Sequence, residues 1–219
     1  MISKLKQGRG VAIIVAVAIL TSALVLVVAA DDGALQVNDE VTPDTVLATV
    51  NGVEIMQKDV TALQAVYDAY GMETPEDDAA LEDLITQEVL QQAAELAGYM
   101  PLTRAEAEEQ LELMMPTPLE DFRRELEEKG LCYDEQLKDF GKQLAIQEFL
   151  EDAVEVPEPT TEEVEERYDY YRQVVPEEQL PPFEQIKDYL IMELKQEKQQ
   201  EAMFALIEEL MEEADIEYA

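Results

Sequence analysis

Residues 46–60 read VLATVNGVEIMQKDV, and this stretch decides how the chain begins to fold. Val46, Ala48 and Val50 alternate with other residues, which is the period of a strand with one buried face. Asn51-Gly52 is a strong signal for a two-residue hairpin turn, because both residues tolerate positive φ. The return strand VEI then leads directly into a helical pattern. The stretch therefore predicts a small β-hairpin that opens a helical domain.

Threonines and glycines mark helix boundaries along the rest of the chain. Thr103 with Glu106 and Thr117 with Glu120 both fit a capping box, and Thr160 has the same spacing to Glu163. A further start is predicted at Thr74, with Pro75 in the first turn. Helix ends are predicted at Gly71, Gly98 and Gly130. The apolar face of the helix before Gly98 is predicted to consist of Leu81, Leu84, Ile85, Val89 and Leu96.

The C-terminal part of the sequence predicts one long helix and one short strand. Residues 183–213 contain no proline or glycine, so a helix of about 45 Å is expected. Its middle, 195–201, is polar all round, whereas both ends are apolar, which predicts packing at each end. Residues 215–218 alternate like a strand and are expected to pair with VLATV. The predicted fold is mainly α, with a hairpin completed by a C-terminal strand.

The first thirty residues differ from everything that follows. Lys4, Lys6 and Arg9 precede an uncharged apolar run over 11–30, long enough to cross a bilayer as a helix. The positive flank predicts that the rest of the chain is extracytoplasmic. Two interpretations stay open: the run is a membrane anchor, or it is a signal peptide cleaved after the small residues that precede Asp31. Residues 31–45 are predicted to be a polar linker, and 46–219 one folded domain.

Charge and side-chain chemistry exclude several classes of function. All 51 acids and 12 of the 15 basic residues follow position 30, so this part carries a formal net charge of −39. Nucleic acid is therefore a poor partner. The sequence has no histidine and one cysteine, Cys132, which we expect to be half-buried. Without these ligands and bases we predict no catalytic residues, no metal site and no cofactor.

The order and spacing of the helical segments carry a family resemblance. They are similar to the N-terminal chaperone domain of SurA-type periplasmic chaperones and PrsA-type foldases. The segments concerned are VLATVNGVEIMQKDV, ALEDLITQEVLQQAAELAG, LTRAEAEEQLELM, LCYDEQLKDFGKQLAIQEFLEDAV, PTTEEVEERYDYY and the long C-terminal PPFEQIKDYLIMELKQEKQQEAMFALIEELMEEADIEY. The resemblance implies that the helix over 183–213 closes the domain. Between the last two segments this family usually holds a parvulin prolyl isomerase domain, for which the chain has no room.

The resemblance implies a non-enzymatic chaperone that holds unfolded exported polypeptides. Methionine and tyrosine provide adaptable and amphipathic contact surface, so the candidate peptide-binding residues are Met114, Met115, Phe122, Tyr168, Tyr170 and Tyr171. The alternative for each residue is a place in the hydrophobic core. The alternative for the whole chain is a membrane-tethered adaptor or structural module that docks one specific folded partner.

Overall fold

The computed structural model describes residues 42–176 and 178–219. The predicted anchor or signal peptide over 1–30, and the predicted linker up to position 41, lie outside the described residues. Within the described part, no helix is long and apolar enough to cross a bilayer.

Over the described residues the chain is mainly helical, as predicted, with a small antiparallel sheet. The strands are β1 (Val46–Val50), β2 (Val53–Met56) and β3 (Ile216–Tyr218). The helices are α1 (Gln57–Ala69), α2 (Asp77–Ala97), α3 (Arg104–Met114), α4 (Leu119–Glu128), α5 (Tyr133–Ala153), α6 (Thr161–Val174) and α7 (Phe183–Glu213).

The sheet joins the start of the described chain to its end. Its strand order is β2-β1-β3, and β1 is antiparallel to both neighbours. Asn51 (φ 49°) and Gly52 (φ 85°) form the hairpin turn in the left-handed region that such turns require. Val50 pairs with Val53 on one side and with Ile216 on the other. The predicted hairpin and its pairing with a C-terminal strand are both confirmed.

The chain forms two compact units, 150–208 being the second, and α7 contributes to both. Many buried residues in the described part of the first unit belong to one of two apolar clusters. One lies between the sheet, α1 and α2, and includes Leu210 and Met211 from the end of α7. The other is built by α3, α4 and the first half of α5. In the second unit, Leu190 and Leu194 from the start of α7 pack with Val164 of α6. The prediction that both ends of the long helix pack is confirmed.

Two of the predicted helix starts are correct and two are wrong. Thr103 and Thr160 each form a capping box with the glutamate three residues later. Pro118, not Thr117, is the N-cap residue of α4, since its carbonyl accepts bonds from the amides of Asp121 and Phe122. Similarly, α2 begins after Glu76, two residues beyond Thr74. Both N-cap residues, Glu76 and Pro118, have an extended backbone with ψ of 158° and 147°, so each helix begins at the residue that follows them.

Two predictions of burial are wrong. Leu96 is 91% exposed, because it lies in the exposed last turn of α2, beyond Ala94, the last buried residue of that helix. Cys132 is exposed, not half-buried, since it lies in the connection between α4 and α5, one position before the buried Tyr133.

Candidate functional site

The start of α6 is fixed against α7 by one glutamate. Glu163 accepts hydrogen bonds from the backbone amide of Thr160 at 2.7 Å and from its hydroxyl at 3.0 Å. Its other carboxylate oxygen lies 2.6 Å from the ammonium group of Lys198 on α7. The hydrogen bond from Lys198, followed by those from Thr160, lowers the pKa of Glu163 to about 2. The carboxylate thus caps α6 and ties it to α7 at once.

Arg167 makes the second link between the two helices. Its guanidinium group lies 2.6 Å from Glu193 and also contacts Glu197, both on α7. The Tyr171 hydroxyl donates to the Glu193 carboxylate at 3.0 Å. This bond is the main cause of a raised pKa for Tyr171. Arg167, Tyr171 and Glu193 therefore form one network.

Tyr168 joins the middle of α6 to the start of α7. Its ring packs edge-on against Phe183 with 5.3 Å between the ring centroids. Its hydroxyl donates to the carbonyl oxygen of Pro181 at 3.0 Å. Because the ring and the hydroxyl both have partners, Tyr168 serves the packing of α6 on α7 and leaves little surface for a ligand.

Large apolar side chains line the outer flank of this helix pair. Tyr170 and Val174 are one turn apart on α6, and Tyr189 and Met192 are one turn apart on α7, so each pair shares a helix face. All four are between 55% and 59% exposed. Tyr171 connects the two pairs, because its ring centroid lies 5.9 Å from that of Tyr170 and its hydroxyl bonds to Glu193, which is one turn after Tyr189 on α7. We call Tyr170, Tyr171, Val174, Tyr189 and Met192 the tyrosine face.

The sequence-predicted site residues fall into two groups in the structure. Met115 and Phe122 are buried in the cluster built by α3, α4 and α5, and Met114 is half-buried against it. The Phe122 ring lies edge-on to Tyr133, with 6.3 Å between centroids. The structure therefore brings these three residues together inside a core.

The three predicted tyrosines all lie in the second unit, but they differ in environment. Tyr168 and Tyr171 are half-buried and hydrogen-bonded, whereas Tyr170 is exposed. Tyr189, Met192 and Val174 were not predicted. The sequence could have indicated two of them. On α7, Leu190 and Leu194 form the apolar stripe of the packed side, and Tyr189 and Met192 fall outside that stripe.

The described residues contain no group of three or more cysteine or acidic side chains placed to hold a metal ion. What the structure defines is a class: a mainly helical chain with a three-stranded antiparallel sheet and an exposed aromatic face on a helix pair. No family model matches the chain, and no curated protein and no solved structure matches it either.

Proposed function

We propose that this protein is a non-enzymatic chaperone that binds unfolded exported polypeptides on the tyrosine face. The observation that carries the proposal is the exposure of Tyr170, Val174, Tyr189 and Met192 on adjoining flanks of one helix pair. Single exposed apolar residues are ordinary, but a group of them on one surface is typical of an interaction site.

The chemistry of the face suits partners that vary in sequence. Tyrosine offers a large rigid ring and a polar edge, and methionine adapts its shape to different neighbours. The hydrogen bonds of Tyr171 and the ion pairs of Arg167 hold the helices beneath the face in place. A preorganised surface of this kind loses little conformational entropy when it binds an extended chain.

The proposed relationship to SurA-type and PrsA-type proteins is supported by the topology of the first unit. A hairpin near the start and a strand near the end of the described chain complete one sheet, with helices between them. The connection from Val174 to Phe183 is too short for an isomerase domain, so the proposed chaperone acts by holding its clients.

The proposed location is extracytoplasmic. Support comes from the sequence of the first thirty residues, where a basic flank precedes the apolar run. Exported polypeptides are unfolded when they arrive there, which makes them suitable clients. The high negative charge of the exported part would keep such a chaperone soluble while it exposes apolar surface.

The test uses the full chain in nanodiscs of neutral lipid, with empty nanodiscs as a blank. The measurement is light scattering from a guanidinium-denatured reporter enzyme diluted into buffer. We expect the protein to suppress aggregation at a near-stoichiometric ratio, and the double variant Tyr170→Ser/Tyr189→Ser to lose most of this effect. The matched control is Leu96→Ser/Leu113→Ser, which removes two apolar side chains of the first unit that are even more exposed than the two tyrosines.

Two results would contradict the proposal. Absence of suppression by the unaltered protein would favour the adaptor function, in which the same surface docks one folded partner. Equal loss of suppression in the tyrosine and leucine variants would show that the tyrosine face has no special role. Circular dichroism of each variant checks that the helices are intact.

A further inference from the structure

The second unit is strongly acidic, and its basic side chains are already engaged. Residues 150–208 contain 17 acids and 5 bases. Arg167, Arg172, Lys195 and Lys198 each form an ion pair with an acid of the same unit. The fifth base, Lys187, lies over the ring of Phe183 at 5.9 Å from its centroid. The unit therefore offers little positive charge to an incoming segment.

Two carboxylates beside the tyrosine face are in the opposite situation. Glu166 lies one turn before Tyr170 on α6, and Asp188 lies one turn before Met192 on α7. Both are exposed, and in the described part of the chain neither of them forms an ion pair. Each therefore carries a solvated charge that an incoming cation can use.

From this arrangement we infer that the tyrosine face selects extended segments in which lysine or arginine alternates with apolar residues. The inference rests on the proposed function and names the class of client that the same site takes. Apolar residues of the segment would cover Tyr170, Val174, Tyr189 and Met192. Its cations would meet Glu166 and Asp188, and could also stack on the tyrosine rings.

The same charges disfavour the other occupants of this face. Two copies of the chain would bring together two units that each have an excess of 12 acids, which costs electrostatic energy at low salt. An acidic client segment would be repelled in the same way. Charge complementarity is therefore the feature that distinguishes a basic apolar segment from these alternatives.

The test measures fluorescence anisotropy of two short labelled peptides with the full chain in neutral nanodiscs. The peptides share the same apolar residues and differ in having lysine or glutamate between them. At low salt we expect the lysine peptide to bind about tenfold more tightly than the glutamate peptide. The ratio should fall towards one as the salt concentration is raised to about 0.5 M, because salt screens exposed charges.

Two double variants locate the effect. Glu166→Gln/Asp188→Asn removes two charges beside the face and should reduce the lysine preference several-fold. Glu155→Gln/Glu201→Gln removes two exposed charges elsewhere in the same unit and should leave the preference nearly unchanged. Tyr170→Ser/Tyr189→Ser should weaken binding of both peptides, which shows that the measured site is the tyrosine face.

Each contrary outcome has a distinct meaning. Equal binding of the two peptides, together with suppression of aggregation, would overturn the charge selection and leave the chaperone function standing. Equal effects of the two charge variants would overturn the role of Glu166 and Asp188. Binding of neither peptide, without suppression of aggregation, would remove the proposed function itself. Self-association that the tyrosine variant abolishes would assign the face to a second copy and overturn the inference.

Discussion

Asn51 and Asp215 exchange two hydrogen bonds across 164 positions of sequence. The Asn51 amide donates to the carbonyl oxygen of Asp215 at 2.8 Å, and the Asp215 amide donates to the side-chain oxygen of Asn51 at 2.9 Å. The Asn51 side-chain nitrogen also donates to Gln92 on α2 at 2.8 Å. One turn residue therefore joins the hairpin, the start of β3 and the second helix.

Replacement of Asn51 tests this junction. Asn51→Ala removes the side-chain bonds and places alanine at a positive φ, so we expect the free energy of unfolding to fall by about 2–3 kcal/mol. Asn51→Gly removes the same bonds without the backbone strain and should cost about 1–2 kcal/mol. Urea denaturation measures both values. If the two variants were equal in stability, backbone strain at this turn would have no role.

Removal of residues 215–219 tests the pairing of β3. The deletion leaves one side of β1 without a partner, so we expect the melting temperature to fall by about 5–10 °C. Tyr218→Phe is a milder variant that loses only the 2.9 Å bond from the tyrosine hydroxyl to Glu82. It should cost about 1 kcal/mol. An unchanged melting temperature after the deletion would mean that β3 does not stabilise the sheet.

Asp83 on α2 should give the stability a particular pH dependence. Burial, followed by the charge of Glu82, raises the pKa of Asp83 to about 6. Between about pH 4 and pH 6, Asp83 therefore binds a proton in the folded state that it does not bind in the unfolded state. For this reason the free energy of unfolding decreases as the pH rises from about 4 to about 6. We expect Asp83→Asn to increase the free energy of unfolding by about 1–2 kcal/mol at pH 7, and very little at pH 4.

The control for Asp83 must account for the excess of acids in the chain. Glu212→Gln removes one exposed charge from the same unit. It should change stability by less than about 0.5 kcal/mol at either pH. Urea denaturation at pH 4 and pH 7 compares the two variants. A gain of the same size from Glu212→Gln would show that net charge, not burial of Asp83, is the cause.

Arg167 and Arg172 lie on the same helix, but they should differ in their contribution to stability. Arg167 is half-buried and pairs with Glu193 and Glu197, so Arg167→Ala leaves two glutamates without their cation. We expect a loss of about 1–2 kcal/mol. Arg172 pairs with Asp169 in solvent, and Arg172→Ala should cost less than about 0.5 kcal/mol. Hydrogen exchange of the α6 amides measures both, and similar effects would contradict the assigned role of Arg167.

Local sequence signals predicted most of the helical architecture. The capping boxes at Thr103 and Thr160 are correct because the bonds that make them lie within three residues of each other. The two proline-containing starts were placed wrongly by one or two residues. At those positions Glu76 and Pro118 take the extended N-cap conformation in place of the threonines, and the sequence alone does not decide between these residues.

The residues of the candidate site were harder to predict from the sequence than the helices were. Met115, Phe122 and Tyr170 all belong to residue types suited to binding, but the first two are buried and the third is exposed. Periodicity on one helix does not reveal which of its faces another helix covers. Tyr189 and Met192 became part of the candidate site only because α6 packs against the Leu190 side of α7.

The sequence by itself determined the element types, the hairpin at Asn51-Gly52 and the excess of negative charge, because turn geometry, caps and ionisation depend on neighbouring residues. Tertiary structure decided that Asn51 meets Asp215 and that burial raises the pKa of Asp83. It also decided that four large apolar side chains stay in solvent beside carboxylates that form no ion pair within the described residues. These features depend on contacts between distant segments, whose energies local propensities do not contain.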